Sequence, residues 1–383
     1  MARAASLLML LALAPTAGHA TPRVPTDDGE LLERVAAADD PVLRDLRVAL
    51  AAKPDDPARV YAFVRRAIGA ARATGDPRPI GQAEAALARL GGSREPGAEA
   101  LRLRATLRQW RHDFEGAERD LERSLRLDAR SPETWLAHAL VMSVQGRPEE
   151  TRRSCAALLP LGARLVATTC LALAAGLTGH AHEGRSALER ELESAAPPDD
   201  QRRFSLETLA DLALAEGDDA GGERYFVRAL ALPAPDVTLR AAYADLLLRA
   251  GRASEAKQAL ADATRSDVLL LRAWLAARAL GDPAAELLEA RLEQRFAALR
   301  ARGEAVHQRE EARFRLARGE TSEALALARA NFTRQREVED ARLLLEAARL
   351  AGDPDAAAPV AAWMRETGLV DARLALPAAA ETR

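Results

Sequence analysis

The sequence predicts an all-α protein built from a repeated pair of helices, and its composition and its periodicity support this prediction. Hydrophobic residues make up 48% of the 383 residues, but aromatic residues only 4%, and isoleucine occurs only at positions 68 and 80. Because β-sheets pack best from β-branched and aromatic side chains, this composition favours helices. Small residues also recur at intervals of 34 residues or close to twice that value, at Ala105, Ala139, Ala210, Ala244 and Ala312.

The charge balance of the chain excludes one large class of partner. The formal net charge is −3, so no excess of positive charge draws the chain to nucleic acid. The basic residues are almost all Arg, with Lys only at 53 and 257, which is typical of a biased composition. We therefore expect no nucleic-acid partner.

The first twenty residues have the layout of a secretory signal peptide. Arg3 precedes a short apolar run, Pro15 breaks it, and small residues lead to Ala20. The apolar run is much shorter than the roughly 20 residues that a membrane-spanning helix needs. We expect a signal peptide over residues 1–20, cleaved after Ala20, and an exported, periplasmic chain without a stable membrane span.

The remaining sequence divides into four segments in chain order. We expect a linker and a leading helix over residues 21–55, then a degenerate helical hairpin over 56–97. A repeat array occupies 98–368, and a tail over 369–383 is expected to fray because it follows the last repeat. In the array each unit should contact mainly its neighbours, which predicts an elongated molecule.

Turns inside the array can be located from glycines that follow helical runs and precede polar or Pro residues. A glycine there ends one helix, and the polar residues begin the next. This pattern occurs at Gly146, Gly179, Gly217, Gly251, Gly281, Gly319 and Gly352.

The array resembles the tetratricopeptide repeat (TPR) family. Trp135 and Ala139 occupy the early aromatic and small positions of one unit, and Tyr243, Ala244 and Ala256 occupy family positions of another. Trp274 departs from the pattern, because it lies where a small residue is expected. The resemblance implies a right-handed α-solenoid of about eight helix-turn-helix units, with the first helix of each unit facing a concave inner surface.

The two cysteines are placed to form a disulfide. Cys155 and Cys170 lie on either side of a predicted turn at residues 160–162, so they should face each other across two antiparallel helices. An exported protein meets oxidising conditions, and a bridge requires Cα atoms within about 7 Å. The alternative is a pair of small buried apolar residues.

The motifs of common enzymes are absent from the sequence: there is no phosphate-binding Gly-rich loop, no HExxH, no GxSxG and no CxxC. His180 and His182 form an HxH pattern, but they fall in a predicted turn and are better interpreted as solvated histidines. We therefore expect no catalytic activity, no cofactor and no metal.

The family resemblance places a set of charged residues on the concave surface, where a partner would bind. Arg249 and Glu346 belong with them. The set would change from acidic to basic along the groove, which suits a polypeptide with an acidic end, although ordinary charge pairing explains it as well. The candidate partner-binding residues are Glu207, Asp211, Asp245, Arg309, Arg313, Arg342 and Arg349.

A cluster of polar residues interrupts the repeat pattern after residue 330. Asn331 replaces a small apolar residue, and Gln335, Arg336 and Asp340 follow it. A buried Asn needs hydrogen-bond partners, so these residues form either a polar network that fixes the packing of two units or part of a binding surface.

These observations predict a non-catalytic scaffold or assembly factor of the bacterial envelope that binds a polypeptide in its concave groove. The alternative is a periplasmic module that binds an anionic polysaccharide or a cell-wall fragment. The sequence identifies neither the partner nor the oligomeric state.

Overall fold

The computed structural model describes residues 40–90, 95–260, 265–303 and 307–374. Within these ranges it contains 19 α-helices, two short 3₁₀ helices and no strand, which confirms the predicted all-α class. The predicted signal peptide lies outside the described residues.

The helices are α1 (Pro41–Ala52), α2 (Pro57–Thr74), α3 (Arg78–Arg89), α4 (Ala98–Trp110), α5 (Phe114–Leu127), α6 (Pro132–Val144), α7 (Pro148–Ala156), α8 (Arg164–Gly176), α9 (Ala181–Ser194), α10 (Asp199–Ala215), α11 (Asp219–Leu230), α12 (Val237–Arg249), α13 (Ala253–Ala259), α14 (Asp267–Ala279), α15 (Ala284–Ala301), α16 (Gln308–Ala317), α17 (Thr321–Phe332), α18 (Val338–Ala351) and α19 (Ala358–Thr367).

Consecutive helices pack as antiparallel pairs, and successive pairs stack on one another. A leading helix, α1, and a hairpin, α2–α3, precede eight pairs that run from α4–α5 to α18–α19. All seven predicted turn glycines adopt positive φ angles, between 63° and 83°. Side-chain caps begin several helices; for example, Ser131 accepts a hydrogen bond from the Thr134 N–H at the start of α6.

Small residues are buried on the first helices of five of the eight pairs. The five alanines of the 34-residue period are all at most 1% exposed. An alanine at a helix crossing allows the backbones to approach closely, and leucines fill the rest of the seam. The periodicity in the sequence therefore corresponds to the packing of the units.

Trp274 shows how one departure from the repeat pattern is accommodated. Its side chain is fully buried, with its ring 4.8 Å from the Phe314 ring between centroids. Phe296 lies 5.5 Å from Phe314 in the same cluster. Aromatic packing thus replaces the small-residue contact in this part of the array.

The sequence predicted an elongated array in which each unit contacts mainly its neighbours, but the structure also contains contacts between distant units. The Arg336 N–H, just before α18, donates to the Val144 carbonyl at the end of α6, at 2.7 Å. The Trp363 Nε1–H of α19 donates to the Gly146 carbonyl at 3.2 Å, although 217 residues separate the two. The curvature of the array thus brings its last units against its middle ones.

The expectation of a frayed tail from residue 369 is wrong for residues 369–374, which we call the C-terminal segment. Leu369 and Leu374 are 3% and 7% exposed. The Ala372 N–H donates to the Ala215 carbonyl at the end of α10, at 2.9 Å. Apolar burial and this backbone hydrogen bond hold the segment on the fold. Residues 375–383 lie outside the described residues.

No helix in the described part of the chain is both long enough and apolar enough to cross a membrane. Residues 165–179 carry no charged side chain, and most of them belong to α8, where Leu165, Ala167 and Ala172 are buried.

Candidate binding cavity

The curved array encloses a cavity of about 390 Å³. Its wall is formed mainly by the first helix of successive units, namely α6, α8, α10, α12, α14, α16 and α18, and the C-terminal segment completes it. A volume of this size lies within the range of small-ligand sites and corresponds to a few amino-acid residues. The inner surface predicted from the repeat pattern is therefore a bounded cavity.

Charged side chains of both signs line the cavity in equal number, among apolar ones such as Leu173, Phe226 and Val338. The acidic residues come from α10, α12, α16, the start of α18 and the C-terminal segment, and the basic residues from α12 onward. The charged lining residues are Asp211, Asp245, Glu310, Glu337, Glu339 and Asp371, and Arg249, Arg272, Arg309, Arg313, Arg342 and Arg373.

Asp245 is the centre of a buried ion-pair group. Its carboxylate lies 2.8 Å from Arg272 Nη2 and 2.7 Å from Arg313 Nη1, and its side chain is 7% exposed. Burial alone would raise the pKa of Asp245, but the charges of Arg272 and Arg313 outweigh burial and hold it below its ordinary value. Asp245 therefore remains ionised, and it compensates two arginines at once.

Arg309 joins α16 to the start of α18. Its guanidinium donates to both carboxylate oxygens of Asp340, at 2.5 and 2.8 Å, and it also pairs with Glu337. The Asn331 amide donates to the same Asp340 at 2.6 Å, and the Gln335 amide donates to Glu337 at 3.0 Å. Three of the four predicted network residues thus form a hydrogen-bonded network with Arg309.

Arg336, the fourth residue of the predicted network, does not join it. Its guanidinium lies 5.8 Å from the centre of the Phe332 ring, and its backbone N–H binds the end of α6 as described above. The residue therefore contributes to the contact between distant units instead.

Arg342 pairs with carboxylates on its own helix. It lies 2.9 Å from Glu339 and 3.2 Å from Glu346, one turn away on either side. Glu339 also approaches Arg249 of α12 at 3.7 Å. The Arg249–Glu339 and Arg313–Asp245 pairs both join α12 to later helices, so the gradient along the sequence becomes charge pairing between helices that line the cavity.

Asp211 differs from the other lining carboxylates. About 66% of its side chain is exposed, and its only ion pair within the described residues is with Arg373 Nη1 at 3.7 Å, beyond hydrogen-bond distance. The exposed surface faces the cavity, whose walls surround the carboxylate. Restricted hydration inside these walls, opposed by Arg373 and reinforced by Glu339 and Asp371, raises the pKa of Asp211 to about 6.

Glu207 lies one turn before Asp211 on α10, outside the residues that line the cavity. Its buried Oε1 accepts no hydrogen bond from any residue that the structure describes. Burial, together with the charges of Asp236 and Asp211, raises the pKa of Glu207 to about 8. The side chain therefore carries an unfavourable charge at high pH.

The structure brings most, but not all, of the predicted partner-binding residues together. Asp211, Asp245, Arg309, Arg313 and Arg342 line the cavity, whereas Glu207 lies beside it and Arg349 is exposed at the far end of α18. Sequence reasoning missed Arg272, Glu310, Glu337, Glu339, Asp371 and Arg373. For Glu310 the available signal was its position next to Arg309 on a first helix.

Cys155 on α7 and Cys170 on α8 are joined by a disulfide in the structure, with their Cα atoms 5.3 Å apart.

His180 precedes α9, and His182 lies within its first turn, 3.2 Å from Glu216. Within the described residues, no group of three or more His, Cys, Asp or Glu side chains is placed to hold a metal ion.

Neither a family model nor a curated protein matches the sequence. Among solved structures, a tetratricopeptide repeat protein from Parabacteroides merdae is similar, with 16% identity and a TM-score of 0.45, over 61% of this chain and 90% of that chain. NprR in complex with its cognate peptide NprX aligns at 14% identity and a TM-score of 0.44, over 81% of this chain and 92% of that chain. The apo form of the quorum sensor NprR from B. thuringiensis aligns at 12% identity and 0.42, over 79% and 88%.

The fold itself rests on the geometry of this chain. Helix pairs begin 30 to 41 residues apart, about 34 on average, and the first helices of seven of the eight pairs line the cavity. The protein is a tetratricopeptide-like α-solenoid. In such a solenoid the inner surface is the part that successive units build together, and here it is the cavity.

Proposed function

We propose that this tetratricopeptide-like protein is a non-catalytic scaffold or assembly factor of the bacterial envelope, which binds a short polypeptide segment of its partner in the central cavity. The observation that carries the proposal is the cavity itself. It is walled by the first helices of seven units and offers both apolar side chains and charged groups to a ligand. A polypeptide presents the same mixture of apolar, donor and acceptor groups.

The charges of the cavity support a binding role. Arg272, Arg309 and Arg313 each pair with a carboxylate on another helix. Such pairing fixes the side chains in place and preorganises the wall, which lowers the entropy cost of binding.

The same pairing weighs against the alternative of an anionic polysaccharide or cell-wall fragment. A polyanion would need arginines without counter-charges, and it would meet as many carboxylates as guanidinium groups in this cavity. A polypeptide segment fits the balanced lining better, and it remains our preferred ligand.

Binding can be tested with pools of labelled hexapeptides and a variant that obstructs the cavity. Thr238 lines the cavity and is exposed, so Thr238→Trp adds bulk there without disturbing the core. Ala220→Trp, at an exposed position of α11 outside the lining residues, is the control. We expect fluorescence anisotropy to show peptide binding by the wild type and the control, and at least tenfold weaker binding by Thr238→Trp.

Failure of every peptide pool to bind the wild type would refute the proposal. Binding that Thr238→Trp leaves unchanged would place the peptide site elsewhere on the molecule.

The envelope location is tested separately, by N-terminal sequencing of the protein recovered from the producing cell. Because the signal-peptide layout ends at Ala20, the mature chain should begin at Thr21 and should be found in the periplasmic fraction. A chain that keeps Met1 or Ala2 in the cytoplasm would contradict this part of the proposal.

A further inference from the structure

Among the carboxylates that line the cavity, Asp211 is both exposed and without a guanidinium nitrogen at hydrogen-bond distance. Glu310 also lies 3.8 Å from its nearest guanidinium, but only 11% of its side chain is exposed. Asp245, Glu339 and Asp371 each have a guanidinium nitrogen within 3 Å. The nearest guanidinium nitrogen to the Asp211 carboxylate is at 3.7 Å, and about two thirds of its side chain faces open space in the cavity. Asp211 can therefore accept hydrogen bonds from a bound molecule without first breaking an existing one.

The cation nearest to Asp211 is already compensated by another carboxylate. Arg373 donates to both carboxylate oxygens of Asp371, at 2.9 and 2.6 Å. Arg373 is the main positive charge near Asp211, and it is shared between two carboxylates, so the pair of carboxylates is compensated by only one cation. An additional positive charge beside Asp211 would be electrostatically favourable.

The chain itself shows which chemistry this part of the cavity accepts. The C-terminal segment approaches the end of α10 with a backbone hydrogen bond to Ala215, and it carries the Arg373 side chain, 12% exposed, into the cavity. A polypeptide with a basic side chain is thus already accommodated next to Asp211.

We infer that Asp211 is the recognition residue of the cavity and that the partner segment offers it a basic side chain, Arg or Lys. This inference rests on the proposed function and specifies the chemistry of the partner. The sequence had suggested that the arginines of the groove bind an acidic end of the partner. In the structure, the arginines that line the cavity are paired with carboxylates of this chain, so a basic partner side chain replaces that expectation. Charge-assisted hydrogen bonds to a carboxylate within the cavity would give the recognition its strength.

The experiment uses the full-length protein and four pools of labelled hexapeptides. The pools share random flanking residues and differ at one fixed central position, which is Arg, Lys, citrulline or Glu. Citrulline keeps the shape of arginine and removes its charge. For the wild type at pH 7.5, we expect the Arg and Lys pools to bind at least tenfold more tightly than the citrulline and Glu pools.

The variant Asp211→Asn preserves the shape of the side chain and should reduce the preference for Arg over citrulline to less than threefold. Asp200→Asn, at an exposed position near the start of the same helix, is the matched control and should keep the full preference. Melting temperatures of both variants establish that the fold is intact. A second variant, Arg373→Gln, removes the competing guanidinium and should bind the Arg pool more tightly than the wild type does.

The outcomes separate the two proposals. Equal binding of all four pools, abolished by Thr238→Trp, would overturn the role of Asp211 and leave the peptide-binding function standing. A preference for the Glu pool, or a preference for Arg that survives in Asp211→Asn, would also overturn the inference. Absence of binding by any pool would refute the proposed function, and this inference with it.

Discussion

At the scale of single residues, Glu207 is a carboxylate whose surroundings disfavour its negative charge. Its Oε1 is buried without a hydrogen-bond donor among the described residues, and its nearest charges include the carboxylates of Asp236 and Asp211. Such a side chain is more easily protonated in the folded chain than in the unfolded chain. The stability of the protein should therefore depend on pH at this residue.

The pH dependence has a definite sign. The folded pKa of Glu207, about 8, lies above its ordinary value of 4.5, so between these values the folded chain binds the proton more tightly. Stability is therefore full below pH 4.5 and falls as pH rises through 8. Glu207→Gln should raise the free energy of unfolding at pH 9 by ~1–2 kcal/mol, after allowance for solvent screening, and change it little at pH 4.

Denaturant unfolding at the two pH values measures this difference. Glu193→Gln, at an exposed position of α9, is the control and should have no effect at either pH. An equal effect of Glu207→Gln at pH 4 and pH 9 would show that the charge of Glu207 is not responsible.

The disulfide between Cys155 and Cys170 closes a loop of 16 residues that contains the turn between α7 and α8. In the chain-entropy model, closing such a loop lowers the entropy of the unfolded state and raises the free energy of unfolding by about 3 kcal/mol. The double variant Cys155→Ala/Cys170→Ala should lower the free energy of unfolding, measured with denaturant, by a comparable amount. Titration of the denatured, unreduced wild type should find no free thiol, and two free thiols per chain would contradict the bridge.

Some residues of the site could be predicted from sequence and others could not, for physical reasons. Asp211 and Asp245 follow from the repeat register, because first helices face inward and the register fixes which side of the helix does so. Asn331 is conspicuous because a polar residue replaces a small apolar one. Arg373 could not be predicted, since it follows the last repeat and reaches the cavity only through the return of the C-terminal segment.

At the scale of the helices, the junction of α16, α17 and α18 depends on the network around Asp340. Asp340 is buried and receives hydrogen bonds from Arg309 of α16, from Asn331 at the end of α17 and from the Glu337 N–H at the start of its own helix. These donors come from three separate parts of the chain. The network therefore fixes the relative positions of two consecutive units.

Asn331→Ala removes one donor and leaves part of Asp340 unsatisfied, so we expect a loss of ~1–3 kcal/mol in the free energy of unfolding. Asp340→Asn should cost more, ~3–5 kcal/mol, because it leaves the Arg309 charge poorly compensated. Thr333→Ala, at an exposed position that bonds only the nearby Ala330 carbonyl, is the control, with a change below ~0.5 kcal/mol.

The same variants distinguish the two interpretations of the network. A structural role predicts lower stability with the peptide preference of the cavity unchanged. Unchanged stability of Asn331→Ala with weakened peptide binding would instead make the network part of the binding surface.

At the scale of the whole molecule, the contacts between distant units are the main departure from an ordinary linear array. In a linear array, stability is a sum of unit and neighbour terms, and the units can unfold in part. Here the turn at Gly146 receives Trp363, and a Cβ at that glycine would lie within 2.7 Å of the indole nitrogen. Contacts of this kind couple the middle of the array to its end.

Trp363→Ala should therefore do more than remove buried surface. The side chain is 2% exposed and packs against Phe332, with 5.8 Å between ring centroids, so its loss should cost about 3–5 kcal/mol. It should also change a single unfolding transition into two, with the units after α16 unfolding first. Hydrogen exchange across α17–α19 would locate the less stable part.

Trp363→Phe keeps an aromatic ring and loses the hydrogen bond to the Gly146 carbonyl, so a smaller loss of ~1 kcal/mol is expected beyond the change in packing. Leu350→Ala, at an exposed position of α18, is the control and should be nearly neutral. A single transition in Trp363→Ala, with exchange uniformly faster along the chain, would contradict the coupling.

The fold class and the pairing of helices could be predicted because they depend on local patterns: small residues at intervals near 34 or twice 34, and a glycine in the turn of seven of the eight pairs. The closure of the array could not. It depends on the rotation between neighbouring units summed over many of them, and a small change in each rotation moves the last unit by many ångströms. Trp363 and Gly146 are both visible in the sequence, but no local pattern relates them.

The return of the C-terminal segment also sets an order of events during biosynthesis. Asp371 and Arg373 are among the last described residues of the chain, and they form part of the cavity wall. A chain made from its N-terminus therefore exposes Asp211 and the inner faces of the earlier helices before that wall can be completed. A ligand present at that stage would meet an open groove, whereas a ligand that arrives later must enter a cavity whose wall is complete.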